Sequence, residues 1–317
     1  PKVNVYKAYG AGYAGLVQGN STLNLHGGGV FRAFAGACNA NIEGYTTAIV
    51  GYRDEEGDQY NYGKPYVANA VFGGNDFGGQ IAGSIKRDIK VTLPDGSFKT
   101  VPVLSQTYLQ YLSGTIEKAV YGGSFGSYDY NDRKIYSRGD PNGCPAFVET
   151  IKGENDEVIA TNTFVHVDSK SRDRLDVIGN AAMADRTAIT GVVGGGRGYR
   201  NLPGYVEVNQ TYVLLNGTDY TQRDNEAPMA YRVYGGGNLS LVHNTRVDAY
   251  SGTVERIFGG THGVKTVSLD DQVPYNVGNT LKYGKSAVGY SAYISKHYSS
   301  SSASTCSCRG LMRLISR

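Results

Sequence analysis

The densest group of charged side chains in the chain lies in the segment FVHVDSKSRDRLD, residues 164–176. Polysaccharide lyases and glycosidases place carboxylates beside basic side chains, because Asp can hold calcium or transfer a proton and Arg or Lys can bind a uronate or take part in proton transfer. If the chain is an enzyme, its candidate catalytic residues are these six: Asp168, Lys170, Arg172, Asp173, Arg174 and Asp176. The alternative is a solvated loop whose opposite charges cancel locally, and the pattern favours that alternative.

Three other motifs match a cofactor or metal site only in part. Residues 10–15, GAGYAG, fit GxGxxG, but no amphipathic helix pattern follows and no acidic residue stands about 20 positions on, where a dinucleotide site needs one. Residues 73–81, GGNDFGGQI, depart from the spacing of a calcium-binding nonapeptide, so Asn75 is predicted to stack or cap inside a turn. Cys306 and Cys308 form a lone CxC without partner ligands. The sequence therefore predicts neither a cofactor nor a metal.

The composition and short motifs of the chain bear on which classes of partner it can bind. The chain has 31 Lys and Arg against 28 Asp and Glu, a net charge of +3 that argues against a nucleic-acid binder. Its apolar runs are far shorter than the ~20 residues of a membrane-spanning helix. The triplet at 138–140, Arg-Gly-Asp, can be bound by integrins when exposed, but a plain turn before Pro141 is the favoured interpretation. The start at Pro1 rather than Met favours a mature or excised piece of a longer protein.

The elements that must position these residues can be recognised from a recurring sequence motif, which we call the phrase. It consists of a β-branched residue, usually followed by an aromatic residue, and then two glycines. The phrase occurs at positions 71–74, 120–123, 192–196, 233–236 and 257–260, with first positions 49, 72, 41 and 24 residues apart. Ten glycines are predicted to form its structural turns: Gly73, Gly74, Gly122, Gly123, Gly194, Gly195, Gly235, Gly236, Gly259 and Gly260. Units this short cannot bury an apolar face alone, so they must stack on their neighbours.

Two copies share more than the phrase. SGTIEKAVYGGS at 113–124 matches SGTVERIFGGT at 251–261 once one residue is gapped beside a charged pair. In a continuous strand that slip would move every later side chain to the opposite face. A bend at the charged pair would leave Val254 and Ile257 both pointing inward. The unit is therefore predicted to alternate strand and corner.

Further strands are predicted from local patterns. Val91–Val103 is typical of a hairpin with its turn at 94–97, and Leu239–Val242 and Thr245–Tyr250 are predicted as separate short strands divided by turn residues. After Tyr293 the recurring pattern of short strands and turns ends. A Ser-rich tail that has no acidic residue follows. We expect that tail to be disordered.

The tandem units resemble the repeats of large secreted or surface β-helix proteins of gut-type bacteria, the adhesin-like group. This resemblance implies an all-β chain folded as a right-handed parallel β-helix (a β-solenoid) with inserted loops, displayed outside the cell or on the bacterial surface. It divides the chain into a repeat domain, residues 1–296, from a longer solenoid, and a low-complexity tail, residues 297–317. It transfers no active-site residue, because the family's pattern contains none.

Two function classes follow. The first is a non-enzymatic stalk that binds glycans or host and partner proteins through Tyr-rich faces and loops, with further β-helix coils of the same chain as neighbours; the 26 tyrosines suit such contacts. The second is a carbohydrate-active enzyme, a lyase or glycoside hydrolase of the pectate-lyase kind. An enzyme requires three or more of the six charged residues to converge in a groove, whereas in a stalk they diverge into solvent. The sequence favours the stalk.

Overall fold

The computed structural model describes the residues 4–53, 63–93, 95–126, 158–179, 190–198, 207–217, 227–238, 240–262, 275–277, 280–282, 304–308 and 312–314. These residues form strands and connections, and none of them is in a helix. The prediction of an all-β chain is confirmed. The strands are β1 Asn4–Tyr9, β2 Ser21–Leu25, β3 Gly29–Phe34, β4 Thr46–Val50, β5 Tyr66–Phe72, β6 Ile85–Thr92, β7 Phe98–Tyr111, β8 Thr115–Ile116, β9 Ala119–Tyr121, β10 Ile159–Val167, β11 Val177–Ile178, β12 Gly191–Val193, β13 Glu207–Asn216, β14 Ala230–Tyr234, β15 Leu241–Phe258, β16 Tyr275–Val277, β17 Thr280–Lys282, β18 Ser304–Cys308 and β19 Met312–Leu314.

Most strands belong to two parallel ladders. Ladder I consists of β1, β3, β5, β8 with β9, β11 with β12, β14, the second part of β15, and β19. Ladder II consists of β2, β4, the end of β7, β10, β13, the first part of β15, and β18. Along the chain the strands alternate between the ladders, so each pass adds one strand to each.

The recurring phrase supplies the central column of ladder I. Val71 is paired with Val120, Val120 with Val192, Val192 with Val233, and Val233 with Ile257. The four valines are fully buried in one core cluster, and Ile257 packs against it. The copies therefore lie side by side in register, as their repetition in the sequence predicts.

The bend predicted at the charged pair is present in one copy only, because in the other β15 runs unbroken through Glu255 and Arg256. β8 ends at Ile116 and β9 begins at Ala119, with bends at the charged pair between them. In β15, Val254 and Ile257 are three residues apart, yet both contact the same core cluster. The predicted inward orientation of both is confirmed.

The first glycine of four phrases is required by close approach of backbones rather than by unusual dihedrals, whereas a Cβ at Gly260 would meet nothing within 4 Å. A Cβ added to Gly73, Gly122, Gly194 or Gly235 would overlap the carbonyl oxygen of the corresponding glycine in the next pass. Among the described glycines, positive φ occurs at other positions, such as Gly114 and Gly252. Those two lie where the chain crosses from ladder II to ladder I, so the two corners use glycine for different reasons.

Residues from a row of Ser and Thr in ladder II donate hydrogen bonds to these glycine corners. Ser21, Thr46, Thr107, Thr163, Thr211, Thr245 and Ser304 are paired in that order. Five threonine hydroxyls each donate to the carbonyl of the first glycine of a phrase: Thr46 to Gly73 (2.5 Å), Thr107 to Gly122 (2.6 Å), Thr163 to Gly194 (2.7 Å), Thr211 to Gly235 (2.6 Å) and Thr245 to Gly259. This row, which we call the threonine clamp, joins ladder II to the end of ladder I in every one of these passes.

The aromatic residues of the phrase form a second column, on the other side of ladder I from the valines. Ring centroids are 4.9 Å apart between Phe34 and Phe72, 4.6 Å between Phe72 and Tyr121, and 4.9 Å between Tyr234 and Phe258. Tyr121 and Tyr234 are buried. The expectation that tyrosines lie on outer contact faces is thus wrong for these two, because stacking on the neighbouring pass removes them from solvent.

Two local predictions need correction or extension. β15 runs unbroken for 18 residues and passes from ladder II to ladder I at Gly252, so the two short strands predicted in this region are one strand. Pairing on both ladders overrides the turn propensity of its polar residues. The predicted hairpin is confirmed but is longer, because β6 pairs antiparallel with β7 from Ile85 opposite Ser105 to Thr92 opposite Phe98.

The expected disorder of the C-terminal tail is wrong for the part that the structure describes. β18 continues ladder II, with Ser304 beside Thr245 and Cys306 beside Val247. β19 continues ladder I, with Leu314 beside Val254. Although the composition of the segment resembles that of a disordered tail, the edge of β15 supplies a strand with which it can pair.

We expect Gly122→Ala to destabilise the protein by about 1–3 kcal/mol or more, because the new methyl group has no room against Gly194. Urea unfolding measures the change. Gly12→Ala is the matched control, since a Cβ there meets nothing within 4 Å. Equal stability of the two variants would contradict the close-approach explanation.

We expect Thr163→Val to cost about 1–3 kcal/mol, because the buried carbonyl of Gly194 loses its hydroxyl donor. Thr253→Val is the control: both threonines are fully buried, but the Thr253 hydroxyl has no partner among the described residues. Its loss should be neutral or stabilising. If the hydrogen bonds of the threonine clamp contribute nothing to stability, thermal or urea unfolding should give the same change in the free energy of unfolding for both variants.

Candidate functional site

The charged segment 168–176 is the connection from ladder II to ladder I in its pass. It begins where β10 ends and leads into β11. Backbone hydrogen bonds tie both ends to the preceding pass: Asp168 N donates to Tyr111 O (2.9 Å) and Val177 N donates to Gly114 O (3.1 Å). The segment is therefore held as a corner rather than projecting as a free loop.

Asp168 lies in a buried group of opposite charges. Its carboxylate accepts from Arg53 Nη2 (3.1 Å) and Asn216 Nδ2 (3.3 Å), and it lies 3.5 Å from Lys170 Nζ. Lys170 also donates to the Asn216 carbonyl (2.7 Å). Burial lowers the pKa of the Lys170 ammonium, Asp168 opposes that shift, and Arg53 adds to it. The group joins three passes of the chain around one carboxylate.

His166 lies beside this group on β10. Its ring is parallel to that of Phe164 at 6.0 Å, and its Nδ1 is 3.2 Å from the Tyr108 hydroxyl. Nε2 is buried without a partner among the described residues. Burial lowers the pKa of His166 to about 4, against the opposing effect of Asp168. The imidazole is therefore neutral at pH 7.

Asp173 and Asp176 form a separate group around Lys64. Lys64 Nζ contacts the Asp173 carboxylate and lies 3.9 Å from Asp176 Oδ2. Asp176 is 1% exposed and accepts from Gly114 N (2.7 Å) and from the Ser171 hydroxyl. Asp176 thus caps the positive-φ corner at Gly114, which is a structural role.

The six predicted residues do not form one set. Asp168 and Lys170 share one group, Asp173 and Asp176 share another, and Arg172 and Arg174 are exposed on the surface. In the described part of the chain, no three His, Cys, Asp or Glu side chains are placed to hold a metal ion. Likewise, no helix of the length and hydropathy needed to cross a membrane occurs in it.

The other motifs are placed as follows. β2 begins at Ser21, soon after the GxGxxG at 10–15, so that motif is not followed by a helix. Asn75 Oδ1 accepts from Ala37 N (2.8 Å) and its Nδ2 donates to Ala40 O (3.1 Å), so the side chain connects two passes rather than capping its own turn. The Arg-Gly-Asp triplet at 138–140 lies outside the described residues.

One surface feature was not predicted from the sequence. Tyr6 on β1 and Phe31 on β3 stack with ring centroids 5.0 Å apart and planes at 4°, and Tyr6 is 70% exposed. The Arg32 guanidinium lies 5.3 Å from the Phe31 ring centroid. The pairing of Val5 with Val30 and of Lys7 with Arg32 aligns the two rings. We call Tyr6 and Phe31 the aromatic platform.

Comparison with protein-family models, with curated proteins and with solved structures finds no match to this chain.

We expect the native state to lose stability as pH falls from about 6.5 towards 4, in part because of His166. In this range the unfolded chain binds a proton at this side chain that the native state does not, so the free energy of unfolding decreases by about 3 kcal/mol from this group. Urea unfolding at several pH values measures it. His166→Gln should flatten the slope, whereas His26→Gln, at an exposed histidine, should leave it unchanged. An unchanged slope in His166→Gln would contradict the assignment.

Proposed function

We propose that the chain folds as a right-handed parallel β-helix and acts as a non-enzymatic stalk, secreted or on the bacterial cell surface, that binds glycans or partner proteins. The alternation of strands between two parallel ladders supports the β-helix, because each pass returns to both ladders in the same direction. Right-handedness follows from the strong preference of parallel crossovers for that hand. A stack of this kind grows by adding passes and suits an extended stalk.

The aromatic platform is the observation that carries the binding proposal. The two rings are parallel and stacked, so the outer side of the Tyr6 ring, which is 70% exposed, offers a flat apolar face. Such a face suits the C–H face of a pyranose ring, while the Tyr6 hydroxyl and the nearby Arg32 provide polar contacts at its border. Both aromatic residues project from paired strands, so the platform is preorganised and binding orders few rotamers.

The arrangement of the charged segment supports a non-enzymatic role. Asp176 caps a corner and Asp168 forms ion pairs with Arg53 and Lys170, so both carboxylates have structural contacts. A glycosidase or lyase needs its acid and base to face one substrate groove. The division into two groups, with Arg172 and Arg174 exposed, favours the stalk.

A glycan array probed with the purified chain tests the proposal. We expect binding to a subset of glycans, weakened about ten-fold by Tyr6→Ala, since a ring stacking contact contributes about 0.5–1.5 kcal/mol beyond area burial. Tyr66→Ala is the control, because Tyr66 is 47% exposed but forms no ring stack with a described aromatic residue. The same loss in both variants, or binding unaffected by either, would refute the platform.

The enzyme remains the second candidate because Asp168 lies between two cations in a buried setting. Incubation with anionic polysaccharides, followed by size-exclusion analysis of the products, separates the two. We expect no depolymerisation by the wild type. Turnover that is lost in Asp173→Ala or Asp168→Asn would overturn the stalk in favour of a lyase or hydrolase.

A further inference from the structure

A row of side chains lies over the outer face of ladder I, on the side of the aromatic column. Residues shortly after the phrase form isolated parallel bridges in the order Phe125, Arg197, Asn238 and His262. Two of their side chains contact the aromatic column: Asn238 Nδ2 donates to the Tyr121 hydroxyl (3.0 Å), and the His262 ring meets that of Tyr234 edge-on at 5.3 Å. We call the four bridged residues the outer row.

Two guanidinium groups flank the first ring of the outer row. The Arg32 guanidinium lies 5.1 Å from the Phe125 ring centroid, and that of Arg197 lies 5.0 Å from it. Arg32 also lies 5.3 Å from the ring of Phe31. One guanidinium therefore borders both the aromatic platform and the outer row.

Two further arginines continue the positive charge beside Tyr234. Arg232 and Arg256 are paired in β14 and β15, one pass apart. Burial raises the pKa of Tyr234 and the charge of Arg232 opposes that shift, whereas burial and Arg232 both lower the pKa of His262. Arg232 therefore lies on the same outer face as the outer row. Arg256 is exposed, and Glu255 offsets part of its charge, with Oε1 at 3.8 Å from Arg256 Nε.

Arginines thus occur on three successive passes of ladder I. Arg197 follows β12, Arg232 belongs to β14 and Arg256 to β15, and these strands pair in this order. Because parallel strands are about 4.8 Å apart, the three positions advance by a similar step along the stack. This step is comparable to the length of one sugar residue in an extended polysaccharide. A guanidinium also suits a carboxylate, because its planar fork can donate two parallel hydrogen bonds.

We propose that the glycan bound by this chain is anionic: a linear, carboxylate-bearing polysaccharide that stacks on the aromatic platform and extends along Arg32, Arg197, Arg232 and Arg256. This inference rests on the proposed glycan-binding function and specifies its ligand class. Charge complementarity selects the polymer, while the platform supplies a stacking contact that a neutral sugar could also make. Nucleic acid is the other common linear polyanion, and a net charge of only +3 disfavours it.

Isothermal titration calorimetry with polygalacturonate and with its methyl ester tests the proposal. The two polymers share a backbone and differ in the charge of the carboxyl group. We expect polygalacturonate to bind at least about ten-fold more tightly than the ester at low salt, and this advantage to shrink as salt is added, because added ions screen exposed charges.

Two variants test the arginines directly. We expect Arg232→Gln and Arg256→Gln each to weaken the binding of polygalacturonate about three- to five-fold, because a single exposed ion pair contributes little. Lys99→Gln is the matched control, since it removes one exposed positive charge from the hairpin of β6 and β7 and should leave the affinity unchanged. Far-UV circular dichroism checks that each variant is folded.

Four results would overturn the inference. Equal affinity for the two polymers, or binding of neutral glycans on the array without binding of polygalacturonate, would leave the glycan-binding function standing with a neutral ligand. Equal weakening by Lys99→Gln would show that the position of the charge does not matter. Equal affinity for single-stranded DNA of similar length would indicate a general surface for polyanions. If neither polymer binds and the array shows no glycan binding, the proposed function itself fails, and this inference fails with it.

Discussion

The distance between successive passes is the constraint on which the rest of this structure depends. Parallel strands lie about 4.8 Å apart, and this spacing persists through the corner that follows each ladder I strand. There the chain keeps its hydrogen bonds to the next pass, such as Gly122 N to Val193 O (2.9 Å) and Gly194 N to Tyr234 O (2.8 Å). A corner that also stays this close to its neighbour leaves no volume for a Cβ. Glycine follows from that geometry, and the hydroxyl of the threonine clamp then satisfies the glycine carbonyl.

Once the corners are in register, the faces of the strands are fixed. The first residue of each phrase faces the interior between the ladders, and the second joins the aromatic column on the other side. The connections from ladder II to ladder I differ in length, with three residues between β7 and β8 and nine between β10 and β11. The charged segment 168–176 occupies one such corner, and its carboxylates hold the passes together through Arg53 and Lys64. The ion pairs of Asp168 and Asp173 therefore connect neighbouring passes of the chain.

The parts of the fold that could be predicted from the sequence are those whose pattern lies within a few neighbouring residues. The column of Val71, Val120 and Val233 was predictable because only one aromatic residue separates each valine from its own glycines. The threonine clamp was not, since Thr107 and Gly122 are 15 residues apart whereas Thr163 and Gly194 are 31 apart, which gives no fixed spacing to detect.

The side chains that form ion pairs with the charged segment could not be predicted for the same reason. Arg53 lies 115 residues from Asp168, and Lys64 lies 109 residues from Asp173. Composition also misled at the C-terminus. The small polar residues and cysteines of β18 resemble a disordered tail more than a strand. The edge of β15 supplies the partner that an isolated segment lacks. The aromatic platform needed the register of β1 against β3, which no local pattern gives.

The pairing of distant segments can be measured directly with engineered disulfides, in a background where the native cysteines are replaced by alanine. Tyr66 is paired with Thr115, and Thr115 with Val177. Neighbouring strands place Cα atoms about 5 Å apart, within the range of a disulfide, whereas strands one further apart, at about 10 Å, are beyond it. Mass spectrometry after mild oxidation should therefore find a disulfide when Tyr66→Cys is combined with Thr115→Cys, and none when Tyr66→Cys is combined with Val177→Cys. A bond in the second combination but not the first would contradict the stacked ladders.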